Sequence, residues 1–283
     1  MKLYSTPLRF TVLLTALFLV GCSSSDNNQS ARMRTDTQKG EYIYRVHDEQ
    51  LFQIPPLEKK FREVYPWESS LSGERLITKE YFRCKGSSLN PARTVVRDKG
   101  EIVHYYDCGG SEKHSLPLRE QKEYIYPILI DLVNYLQTKT EKRVVITCGH
   151  RCPEHNTYSD PAISNQYSKH MIGAEVSFYV QGLENHPETV IKLIQDYYKT
   201  KEKYSKQKEY IEFKRYEKKD TNVSTQPWYN KEIFIKLFQK SEGRNFDNRH
   251  PYPYISIQVR YDFDKQENVI YSWDKANGNY LRR

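Results

Sequence analysis

The residues with the most chemical potential lie in two neighbouring stretches. The first is Cys148-Gly-His150-Arg151-Cys152-Pro-Glu154-His155-Asn156, and the second is Ser168-Lys-His170-Met-Ile-Gly173-Ala-Glu175-Val-Ser177-Phe. Within about 30 positions they gather imidazoles, thiols, two carboxylates and a guanidinium, the groups that hold a metal ion or capture a carboxylate. Arg151 is the strongest single candidate, because its planar fork suits two parallel hydrogen bonds to a terminal or side-chain carboxylate. A structural salt bridge under its loop is the plain reading beside that one. Further along, Tyr254-Ile-Ser256-Ile-Gln258 alternates polar and apolar residues as a half-buried strand does.

These stretches resemble the zinc D-Ala-D-Ala carboxypeptidases and endopeptidases, whose metal site is shared by hedgehog-type and lysostaphin-type proteins. Cys148-Gly149-His150-Arg151 through Asn156 is similar to that family's S-G-Y-R-S-x-x-x-N, and Ser168-Lys-His170-Met-Ile-Gly173 to its S-x-H-x-x-G. Tyr254-Ile-Ser256-Ile-Gln258 stands where the family has a strand of the type F-V-H-V-D. The resemblance covers about residues 117–263. It implies an α+β fold with an antiparallel sheet and flanking helices, and a peptide cleft in which Arg151 meets substrate.

The departures bear on chemistry. The family's zinc is held by the His matched by His170, by an Asp seven residues on and by the His of the last strand. Here the second and third positions are Ser177 and Ser256, neutral hydroxyls, and the acidic residue of the last strand is Gln258. Residues two apart on a strand share a face, so Glu175 and Ser177 face one way, and Tyr254, Ser256 and Gln258 line one face of the last strand. The expected cleft is polar, with ligand-binding residues Arg151, His170, Glu175, Ser177, Ser256 and Gln258 and no assigned catalytic residue. Zinc is the cofactor it could still hold, through His170, Glu175 and His250 of the Asp247-x-x-His250 segment, with His150 and His155 as further candidates.

Three readings follow. The first is a degenerate carboxypeptidase-like domain that binds peptidoglycan-type peptide without hydrolysis. The second is an active zinc D,D-peptidase with rearranged ligands, and the third is a structural envelope lipoprotein.

The elements that must position these groups are legible in part. Apolar residues at 125, 128, 129, 132 and 136 recur at helical spacing within residues 117–136, with Pro127 fit for a first turn. Residues 143–147 and 174–180 read as strands, 187–198 as a helix, 210–216 as a strand and 228–239 as a third helix. The C-terminal end reads as a hairpin pairing 254–263 with 268–273. An N-terminal hairpin is expected from 76–83 and 101–106, stapled by Cys84 and Cys108.

The compartment is read from residues 1–22. A basic start and an apolar run at 10–20 form a signal peptide, since a spanning helix needs about 20 apolar residues. Leu19-Val20-Gly21-Cys22 resembles the lipobox of bacterial lipoproteins, which implies cleavage after residue 21 and acylation of Cys22, the bilayer partner. Ser23 after it resembles the outer-membrane sorting pattern of enteric bacteria, hence a lipid-anchored protein of a Gram-negative envelope. The expected organisation is a leader at 1–21, a polar tether at 22–40, an aromatic-rich β extension at 41–116 and the carboxypeptidase-like domain at 117–283. Export favours disulfides among the remaining cysteines, with Cys84–Cys108 and Cys148–Cys152 preferred of the three pairings.

Composition sets outer bounds. With 37% hydrophobic and 13% aromatic residues the chain is neither disordered nor polytopic. Its formal charge of +8 comes from 44 Lys+Arg against 36 Asp+Glu, well mixed in sign, so nucleic-acid binding is not implied.

Overall fold

The computed structural model describes residues 70–71, 74–97, 100–162, 166–218 and 220–282. The leader, Cys22 and the tether lie outside the described residues. Among the described residues no helix is long and apolar enough to cross a membrane.

A six-stranded antiparallel sheet carries the fold. Its strands are β1 (Val144–Cys148), β2 (Glu175–Val180), β3 (Lys214–Arg215), β4 (Trp228–Tyr229), β5 (Ile233–Phe238) and β6 (Tyr254–Val259), arranged β1-β2-β6-β5-β4-β3. The α+β class and the flanking helices are as the sequence implied.

Two helices cover the apolar face. Helix α1 (Pro127–Thr140) begins at Pro127, whose missing amide hydrogen costs nothing in a first turn, and buries Ile128, Leu129, Leu132, Val133 and Leu136. Helix α3 (Pro187–Thr200) buries Val190, Ile191, Ile194, Tyr197 and Tyr198 in the same i, i+4, i+7 rhythm. Between them lies a short helix, α2 (Pro153–Ser159). The stripes of α1 and α3 join Val176, Phe178, Ile233, Ile235, Ile255 and Ile257 in one core. Truncating a fully buried member such as Leu132 to Ala costs about 2–5 kcal/mol.

The opposite face is set by register. Across β2 and β6, Ser256 pairs with Ser177 and Gln258 with Glu175; across β5 and β6, Lys236 pairs with Ser256. The polar side chains thus form one contiguous patch at the centre of the sheet.

Four sequence expectations are corrected. Residues 228–239 form the β4–β5 hairpin rather than a helix, because the Asn230 carboxamide oxygen accepts the amides of Glu232 and Ile233, closing an Asx turn. After that turn Ile233, Ile235 and Leu237 point to the core at period two. Residues 254–263 meet 268–273 only at their near ends, where Tyr261 pairs with Asn268 and Asp262 with Glu267; β6 sits inside the sheet, and Trp273–Asn277 is helical. Strand Ile102–Tyr105 pairs with Arg93–Val96, the nearer segment, while Lys79–Phe82 is a 3-10 turn capped by Thr78. Within 210–216 only Lys214–Arg215 is strand, and Lys208–Ile211 is a helical turn.

The N-terminal segment packs onto this body. Ile77, Phe82 and Leu116 belong to the main core, and Arg93 donates to the carbonyls of Tyr158 and Ser159 on α2.

Candidate functional site

The polar centre of the sheet floors a cleft of about 720 Å³, a volume typical of ligand sites. Arg151, His170, Glu175, Ser177, Ser256 and Gln258 all line it. These are the six ligand-binding residues named from the sequence, and the fold brings them together.

His170 is aimed by its own short motif. Ser168 caps the 3-10 turn Lys169–Ile172 by accepting the His170 amide, and Gly173 reverses the chain into β2 at φ 68°. A Cβ on Gly173 would meet the Tyr124 carbonyl at 3.0 Å, so both the positive φ and the space favour glycine. The His170 Nδ1 lies 2.6 Å from the Gly149 carbonyl, which can only accept, so Nδ1 carries the proton and Nε2 is left unprotonated. Nε2 lies 3.4 Å from Ser177 Oγ and 3.7 Å from Glu175 Oε1. Burial pushes the imidazole pKa down against the pull of Glu175, so the ring is neutral at pH 7.

Glu175 is buried beside it. Ser256 Oγ donates to its Oε1 at 2.6 Å and Gln258 Nε2 at 3.0 Å. Burial alone would raise its pKa, but His170, Lys236 and these two donors outweigh it and hold the carboxyl at about 2. The carboxylate is therefore ionised, with both donors on Oε1.

Arg151 stands on the loop leaving β1. Its Nε donates to Asp247 Oδ2 at 2.7 Å, both side chains being almost wholly buried. The other Asp247 oxygen lies 3.0 Å from His155 Nε2, and His155 Nδ1 lies 2.6 Å from Asp107. Burial would lower the His155 pKa, but the two carboxylates raise it to about 9, so the imidazolium donates to both. Arg151 Nη2 is buried with no hydrogen-bond partner. A buried guanidinium nitrogen without a partner, on a residue that lines a cleft, is a donor still to be satisfied.

The remaining candidates lie elsewhere. His250 does not line the cleft; its ring packs against Tyr179, Tyr252 and Tyr254, so the set His170, Glu175 and His250 does not converge there. His150 is buried against the rings of His114 and Tyr280. No disulfide is at bonding distance among the four described cysteines: the sulfurs of Cys84 and Cys108, expected to pair, are neighbours at 3.8 Å, Cys148 Sγ faces His170 Nδ1 at 3.4 Å, and Cys152 lies with Cys84 and Cys108.

Among the described residues, two groups could hold a metal ion: Cys84, Cys108, His114 and Cys152, and the overlapping set Asp107, Cys108 and His155. Neither includes His170 or Glu175. Sequence reasoning missed this cluster and the role of Asp247. A signal for the cluster existed in the repeated Cys-x-Gly of Cys84-Lys-Gly86 and Cys108-Gly-Gly110, with His114 six residues after the second Cys.

No family model, no curated protein and no solved structure matches this chain.

Proposed function

We propose that the chain is a lipid-anchored protein of a Gram-negative outer membrane whose carboxypeptidase-like domain binds a peptidoglycan-type peptide by its carboxylate without hydrolysing it. The observation that carries this reading is the buried, unbonded Nη2 of Arg151 in the wall of a polar cleft. Lys169, Lys236 and Arg260 also line that cleft, against the acidic Asp160, Glu175 and Asp220, which leaves a small excess of positive charge with Arg151. Absence of hydrolysis is supported by the donors already spent on Glu175 and by the hydroxyls Ser177 and Ser256 at positions where the resembling family has metal ligands. The lipid anchor rests on the lipobox-like residues 19–22.

The test is titration calorimetry of the full chain in detergent with a pentapeptide stem ending in D-Ala-D-Ala and with its C-terminal amide. The free acid binds and the amide binds at least tenfold more weakly, with no D-Ala released on prolonged incubation. Release of D-Ala that disappears in His170→Ala would replace this reading with an active D,D-peptidase. Equal and negligible affinity for both peptides would leave a structural lipoprotein.

A further inference from the structure

We propose that Cys84, Cys108, His114 and Cys152 form a closed structural zinc site, separate from the cleft and held by none of its lining residues.

The four ligand atoms lie within 4.8 Å of one another, and all four residues are buried. Cys84 and Cys108 sulfurs are 3.8 Å apart. A tetrahedral zinc with arms of about 2.3 Å has sulfur–sulfur edges of about 3.8 Å, whereas a disulfide needs about 2.05 Å. Cys152 Sγ lies within 4.8 Å of both other sulfurs, completing a triangle. One disulfide uses two sulfurs and strands the third. A tetrahedral cation uses all three and still needs a fourth donor.

His114 supplies that donor in the correct tautomer. Its Nδ1 lies 3.1 Å from the Ser115 carbonyl, which accepts the Nδ1 proton, so Nε2 keeps its lone pair. Nε2 is buried and has no hydrogen-bond partner. Second-shell orientation of this kind, a backbone carbonyl fixing the far nitrogen, is how metal-binding imidazoles are held.

The surroundings suit thiolates. The His155 amide donates to Cys152 Sγ at 3.4 Å. Gly86 lets its chain pass against the site, since a Cβ there would lie 2.1 Å from Cys108 Sγ. Three soft sulfurs and one imidazole in a closed tetrahedron select zinc over magnesium or calcium, and four protein ligands leave no open position for catalysis. The metal would tie two N-terminal loops to Cys152, the residue after Arg151, and so brace the wall of the cleft.

The experiment uses the full chain purified in detergent under reducing conditions, with elemental analysis and cobalt substitution. One zinc per chain is expected. Cobalt should give the near-ultraviolet thiolate band and intense visible bands of a tetrahedral site. Cys108→Ser and His114→Ala should lose the metal, and Cys148→Ser should keep it. Where these variants do not fold, His114→Cys provides the second measure: it should keep one metal with a cobalt spectrum moved toward an all-thiolate type. The proposal fails if the folded, reduced wild-type chain takes up no zinc or cobalt. It fails equally if the metal survives in folded Cys108→Ser and His114→Ala. A peptide map of chain isolated without reductant that joins two of Cys84, Cys108 and Cys152 would also overturn it.

Discussion

Arg151 Nε and Asp247 Oδ2 meet at 2.7 Å in the interior, joining the loop after β1 to the segment before β6. The pair spans 96 positions of sequence, and it leaves the guanidinium Nη2 buried and unbonded. A salt bridge and a ligand site, two alternatives for Arg151 on sequence grounds, are compatible here: Asp247 holds Nε, and Nη2 has no partner.

Breaking the pair from the carboxylate side should be expensive. Asp247→Asn leaves Arg151 and the charged His155 without their shared anion, and such losses cost about 3–5 kcal/mol. Urea unfolding of wild type and variant measures this; a difference below about 1 kcal/mol would show the network to be dispensable.

Arg151→Lys should separate orientation from charge. A lysine keeps the positive charge but lacks the fork that can hold Asp247 and a second carboxylate at once. Affinity for the free-acid stem peptide should fall at least tenfold, with the already weak binding of the amide unchanged. Parallel calorimetric titrations check it, and equal losses for both peptides would assign Arg151 a purely structural role.

Two buried glutamates should give stability opposite slopes with pH. Glu175 is depressed from 4.5 to about 2, so its contribution of roughly 3 kcal/mol is present above pH 4.5 and is lost as pH falls toward 2. Glu232 is raised from 4.5 to about 7, because burial outweighs the hydrogen bonds from Tyr198 and Tyr204. A raised carboxyl stabilises the fold below pH 4.5, and that roughly 3 kcal/mol is lost as pH rises through about 7. Glu232→Gln should flatten the slope between pH 5 and 7, and Glu175→Gln the slope between 4.5 and 2, both read from denaturation midpoints across pH. An unchanged slope in either variant would remove that residue as the source.

Gly86→Ala should disrupt the thiol cluster. The new methyl would sit 2.1 Å from Cys108 Sγ and 2.8 Å from Asp107 Oδ1, so the loop must shift. Overpacking of this kind costs about 1–3 kcal/mol. Thermal melts should show the loss, together with a raised rate of thiol labelling at Cys108; a melt equal to wild type would mean that the loop yields freely.

The strand that carries Ser256 and Gln258 was legible because alternation is a local property. Tyr254, Ser256, Gln258 and Arg260 do line the cleft, and Ile255, Ile257 and Val259 do enter the core. The start of α1 was legible for the same reason, since Pro127 constrains its own turn. Residues 228–239 were misread because their apolar spacing suits either period, and the deciding contact is the Asn230 side chain closing the turn.

The sequence alone determined the polar content of the cleft. Residue types at 151, 170, 175, 177, 256 and 258 specify which groups can ionise or donate, and strand periodicity specifies which share a face. Tertiary structure decided which groups met. Nothing local tells Arg151 that Asp247 is its partner, or that Cys152 lies beside Cys84 and Cys108 rather than Cys148. Those encounters depend on strand order and on how the N-terminal segment packs against α2. Their energies come from burying charges and lone pairs at sites remote in sequence, which only the assembled core creates.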